Sequence, residues 1–179
     1  MSDTKKRATV MVLSGDMDKA LFAFVIATGY ASMGIETKMW FSLWGANCLK
    51  RKRGFWSTLF GRRKDGPTEF RRTENDTLVQ NMIEAMSAGG ANSLPTSQLN
   101  MLGAGPKIFN YLLKRKGIPN LEQMVLMAEE LGIPFTICQI CVDALALDTS
   151  DLITTRPVAV KGVSQYVKDS MDAHYNVIL

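Results

Sequence analysis

The chemistry this chain can offer starts from three thiols, Cys48, Cys138 and Cys141, and a single histidine, His174. An odd, sparse set of cysteines does not describe the paired framework of a disulfide-stapled secreted domain, so all three are read as free thiols. Cys138 and Cys141 form one CxxC pair. Without a second ligand pair at a recognised spacing it makes a weak zinc site, even with Cys48 and His174 added, and no metal or organic cofactor is expected. A Ser-His-Asp or Cys-His arrangement would have to use His174, near the last predicted strand, and nothing in its spacing supports one. What remains is the nucleophilicity of a thiolate.

Cys138 follows an apolar run at residues 133–137 and precedes a helical stretch. That pattern puts it at the end of a strand and at or just before the first turn of a helix. Unpaired backbone N–H groups and the positive end of the helix dipole favour an anion there. Helix N-termini can bring a cysteine pKa from roughly 8.5 to about 3.5–7.5, which supplies a nucleophile at neutral pH. The same donors would stabilise a persulfide. Cys141, one turn further on, is placed to resolve a persulfide into a disulfide, as redox CxxC pairs do. Cys48 sits beside a basic run and is read as structural.

The elements that must position these thiols alternate between strand and helix. Residues 8–13 (ATVMVL) read as a buried strand ended by Ser14-Gly15-Asp16, and residues 18–33 show helical spacing with Gly34 as the stop. Residues 36–43 make a second strand, parallel to the first through a right-handed crossover. Residues 45–77, rich in glycine and basic residues and containing Pro67, read as a mobile loop or insertion outside the core. Helical stretches follow at 78–86 and 98–116, the latter broken at 103–106. Asn120 is a candidate N-cap for a helix over 121–131, ended by Gly132. After the strand at 133–137 come a helix at 138–147, a short strand at 158–160, a helix at 162–173 and a last strand at 175–178. This alternation predicts a parallel sheet covered on both faces, with the 179 residues forming one domain.

In open parallel α/β sheets, ligands gather beyond the carboxyl ends of the strands. Ser14, Gly15 and Asp16 follow the first strand, Trp44, Gly45, Asn47 and Cys48 the second, and Cys138 the third. The first two groups are therefore candidate substrate- or partner-binding residues, with Cys138 as the reacting group.

Composition limits the alternatives. The chain is 46% hydrophobic and 21% charged, ordinary for a globule. No apolar run reaches the roughly 18 residues of a membrane span. The polar, basic start leads into a strand rather than the apolar core of a signal peptide, so a cytoplasmic location is expected. The sequence pI of about 9.0 could suggest nucleic acid. Yet Lys50, Arg51, Lys52, Arg53, Arg62, Arg63 and Lys64 account for seven of the 21 basic residues; without them 14 remain against 17 acidic. The basicity belongs to one segment, which also carries Leu49, Phe55, Trp56, Leu59 and Phe60 and so resembles a surface for anionic lipid or an acidic partner. No nucleic-acid recognition motif accompanies it.

The segment around the CxxC pair, residues 133–143 (IPFTICQICVD), resembles the strand-to-helix segment of DsrE-type sulfurtransferases, the DsrE/DsrF-like family. Residues 14–20 (SGDMDKA), 41–45 (FSLWG), 103–106 (GAGP) and the helix at 121–131 are similar to other parts of that family, so the resemblance spans most of the chain. It implies a flavodoxin-like three-layer α/β sandwich with a mostly parallel sheet of about five strands, usually in homo-oligomers. It further implies that Cys138 carries sulfane sulfur and that the partners are TusA-like and rhodanese-like sulfur carriers. Cys141 stands where many relatives have serine, which leaves a second thiol step open. Lys161 and Gly162 fall where the family has a glycine-rich turn, making Lys161 a candidate cationic contributor.

The leading expectation is a cytoplasmic sulfurtransferase or sulfur carrier that holds sulfur as a Cys138 persulfide and passes it to a partner thiol. A thiol-disulfide oxidoreductase using Cys138 and Cys141 is the redox alternative. A non-catalytic oligomeric scaffold, docked on a membrane surface or partner through the basic segment, is the third.

Overall fold

A computed structural model describes residues 5–52, 90–98, 103–145, 147, 149 and 151–179. Five parallel strands form one sheet: β1 (Arg7–Val12), β2 (Glu36–Phe41), β3 (Phe135–Cys138), β4 (Ala159–Lys161) and β5 (Tyr175–Ile178), in the order β4-β3-β2-β1-β5. The described helices are α1 (Met17–Ser32), α2 (Ala104–Arg115), α3 (Leu121–Glu130), α4 (Gln139–Leu145) and α5 (Val163–Met171). The expected parallel α/β plan is what forms. Its strand order differs in detail from the 2-1-3-4-5 of flavodoxin itself, because β5 here flanks β1 on the side away from β2.

That order sorts the helices. The steps β1 to β2 to β3 to β4 all move one way across the sheet, so right-handed crossovers place their helices on one face. Only the return from β4 to β5 reverses and brings a helix, α5, to the other. On the first face, Val10, Val12, Met39, Phe41 and Ile137 pack without exposure against Phe24, Ala20, Ala23 and Ala27 of α1 and Leu121, Val125 and Ala128 of α3. The small alanines let α1 approach the sheet closely. Phe24, Phe41 and Phe135 meet with ring centroids 5.4–5.9 Å apart and join α1, β2 and β3. Full burial of each such side chain is worth about 1.5–3 kcal/mol.

Local signals set the boundaries. Gly34, at φ 77°, follows α1 in the left-handed conformation that ends helices. Asn120 closes a capping box with Gln123, each side chain 2.9 Å from the other's backbone nitrogen.

One expectation needs correcting. The reading of residue 45 onward as lying outside the core fails at its start, since Leu43–Leu49 is a 3-10 helix whose last five residues, Gly45 to Leu49, are buried. Its hydrophobic residues Ala46, Cys48 and Leu49 belong to the main core. The glycine and the following cations suggested a loop; the fold instead packs this turn beneath the ends of the strands. The remainder of the expected insertion, from residue 53, and the helix expected at 78–86 lie outside the described residues.

Candidate functional site

Because the sheet is parallel, the segments that follow β1, β2, β3 and β4 all leave from one edge, and the candidate residues gather there. After β1, the Ser14 hydroxyl donates to Asp16 Oδ2 at 2.9 Å and accepts from the Asp16 amide at 3.2 Å. Asp16 pairs with Lys19 at 2.7 Å. Gly15 lies against Trp44, where a Cβ would stand 3.0 Å from that residue's own. The turn after β2 is tied to β1 through the amides of Ser42 and Gly45, which donate to the carbonyls of Val12 and Leu13 at 2.9 Å each. Asn47 and Cys48 lie under this turn, 8% and 0% exposed. Burial drives the Cys48 thiol far above its ordinary range, so it is a neutral core residue rather than the candidate binding residue its place after β2 suggested.

Cys138 ends β3 and is the Cα partner of Lys161 on β4. α4 begins at the next residue, so the junction of strand and helix stands where the sequence put it. A reacting group at this edge has to be accessible, and here the thiol is not: Cys138 is 3% exposed and lies within the buried core. In this conformation the thiol is enclosed at the sheet's edge. The apolar side chains of Leu43, Trp44 and Ile140, near the same edge, are each more than 40% exposed.

Cys141 faces the end of β2, with Sγ 3.8 Å from the carbonyl oxygens of both Phe41 and Leu43. Burial, and after it the charge of Cys138, push its thiol upward; hydrogen bonds from the Ser42 hydroxyl and the Leu43 backbone oppose this only in part. The site therefore brings together one thiol at the end of a strand and a second held as a protonated donor. Sequence reasoning missed Ser42 and Leu43 as neighbours of Cys141. The signal available was their place directly after β2.

His174 is at the other end of the sheet. Its Nδ1 accepts from the Arg7 amide at 3.3 Å and its amide donates to the Arg7 carbonyl at 2.9 Å, beside the start of β1. It has no part in thiol chemistry. Among the described residues no group of three histidine, cysteine, aspartate or glutamate side chains is placed to hold a metal ion, and no helix is long and apolar enough to cross a membrane. Gly162 is the N-cap of α5. Of the basic cluster, the Arg51 guanidinium donates to the Leu152 carbonyl at 3.2 Å and Lys50 forms an antiparallel bridge with Leu152, so these two tie the chain to its 151–153 segment. Arg53, Arg62, Arg63 and Lys64 lie outside the described residues.

The chain belongs to the DsrE/DsrF/DrsH-like family, whose pattern it matches over residues 4–178. It is similar to the uncharacterized protein YrkE of Bacillus subtilis (strain 168), 28% identical with both chains covered in full. It is also similar to the sulfur carrier protein DsrE2 of Allochromatium vinosum, 22% identical over 83% of this chain and 84% of the relative. Among solved structures, the ychN protein from E. coli overlays 97% of this chain and 99% of its own with a TM-score of 0.47 at 10% identity.

Proposed function

We propose that this protein relays sulfane sulfur on Cys138. The observation that carries the reading is the place of Cys138, the last residue of β3 at the edge where ligands gather, in a chain of this family whose similar relative DsrE2 is a sulfur carrier. In the proposed step, the Cys138 thiolate attacks the outer sulfur of a donor persulfide, R–S–SH. A new S–S bond forms to Cys138 Sγ, the donor's S–S bond breaks, and the donor leaves as a thiol holding the proton. An acceptor thiolate then attacks that outer sulfur and releases the Cys138 thiolate. No electrons are gained or lost overall, so no redox cofactor is needed. Small sulfur-carrier proteins of the TusA-like and rhodanese-like kinds are the proposed donors and acceptors, and the exposed Leu43, Trp44 and Ile140 offer an apolar rim for docking.

Enclosure of the thiol sets a condition on this chemistry. The segments packed over Cys138, 3% exposed, must open locally to admit a donor. The test is incubation with a sulfane-sulfur donor followed by intact-mass measurement. Expected are a gain of one or more sulfur atoms, their removal by reductant, and their absence in Cys138→Ser. A folded native protein that gains no sulfur, or gains it equally in Cys138→Ser, rules the reading out.

A further inference from the structure

Among the described residues, α5 is the one helix on its face of the sheet. α5 packs where Tyr166 meets Trp40, ring centroids 5.5 Å apart, and where Asp169 pairs with Lys38 at 3.0 Å and accepts from Trp40 Nε1 at 3.2 Å, both partners on β2. A helix is about 10–12 Å across and strands are about 4.8 Å apart, so one nine-residue helix screens roughly two strands. Among the described residues no second helix lies beside α5 on this face, and Thr136 of β3 and Ala159 of β4 are half-buried there. The space beside α5 is a cavity of about 550 Å³, with Thr136 of β3 and Ala159 of β4 in its lining.

Its charges do not balance. Asp169 is held by Lys38, Trp40 and Gln165. Glu129, 4% exposed, is engaged by the amides of Thr155 and Arg156 and the Thr155 hydroxyl, all at 3.0–3.1 Å. That leaves the side chains of Arg156 and Lys161, both lining the cavity, with no carboxylate partner among the described residues. The walls between them are apolar, formed by Ile133, Pro134, Pro157 and Val158. Concave apolar walls with a few placed polar groups are the form of small-molecule sites, and the volume lies within their usual range of about 300–1,000 Å³.

We infer that this cavity binds a small organic acid, a carboxylate on an apolar body of roughly dipeptide to tripeptide size, with Arg156 and Lys161 as the recognising cations. A second copy of the chain fits less well, since an isologous contact through this patch would bring its unpaired cations toward each other. The inference does not rest on the sulfur reading: Cys138 is not among the lining residues.

The test is to titrate the isotope-labelled full chain with thiol-free probes, phenylpropionate, suberate and the tripeptide Gly-Phe-Glu, and follow backbone amide shifts by NMR. Saturable shifts centred on Thr136, Ala159 and Lys161 are expected for at least one carboxylate and not for the corresponding neutral amide. Arg156→Ala and Lys161→Ala should each weaken binding about tenfold, the loss of one charge-assisted hydrogen bond. Both residues are exposed, so the variants should fold. Equal responses to acid and amide, no saturable shift in the millimolar range, or shifts at these amides driven by protein concentration alone would each overturn the proposal, the last by showing that a second copy covers the face.

Discussion

The Sγ of Cys141 lies 3.8 Å from the carbonyl oxygen of Leu43, which has φ 48° and is, among the described residues, the one besides glycine with a positive φ. A left-handed backbone costs an L-residue about 1–2 kcal/mol, so the surrounding packing must hold this turn in place. The thiol that donates there is held protonated by burial. Cys141 should therefore react with iodoacetamide later than Cys138 at neutral pH, and Cys141→Ser should keep the sulfur uptake that Cys138→Ser loses. Peptide mass mapping over a time course decides it; prior modification of Cys141 would return the redox CxxC reading to the front.

Cys48 carries an alkaline liability. Its folded pKa is raised, so the unfolded chain releases its proton first as pH climbs. Whatever stability the neutral thiol supports is intact below the ordinary value of 9.0 and falls above it, by up to about 1.4 kcal/mol per pH unit. Urea melts between about pH 8 and 11 should show a shallower decline in Cys48→Ala than in the parent chain. Parallel curves would contradict the assignment.

Glu129 is a buried carboxylate at the end of α3 that fixes the turn leading to β4 through the amides of Thr155 and Arg156. Glu129→Ala removes an ionised acceptor and strands those donors, a change expected to cost about 2–4 kcal/mol in chemical denaturation. Glu129→Gln, which restores one acceptor oxygen, should recover part of that loss.

Gly45 packs against the end of β1, and a Cβ there would overlap the Val12 carbonyl and stand 3.0 Å from the Leu13 nitrogen. Neither neighbour is a side chain that can rotate away. Gly45→Ala is therefore expected to destabilise by about 1–3 kcal/mol or more. It should also disturb the turn that holds Cys141, speeding alkylation of that thiol. A variant as stable as the parent would show that the turn docks less tightly.

Much of this architecture was legible residue by residue. The β-branched run before Ser14, the Gly34 and Gly132 stops, the Asn120 cap and the final strand all act within a few neighbours, so local rules locate them. The strand-to-helix junction at Cys138 was equally local, as was the CxxC spacing. Burial of that thiol was not, because exposure depends on segments distant in the chain closing over it. Residues 43–49 misled for the same reason: glycine and nearby cations mark a turn, while the contact with β1 that buries it is set by parallel pairing across some 30 residues. The sequence alone thus determined which residues could do chemistry and the order of elements that carries them. The tertiary structure decided that Cys48 and Cys141 are held protonated by burial and that Cys138 lies enclosed at the sheet edge. It also formed the cavity that Arg156 and Lys161 line, since strand order and helix placement arise from long-range packing that no local pattern encodes.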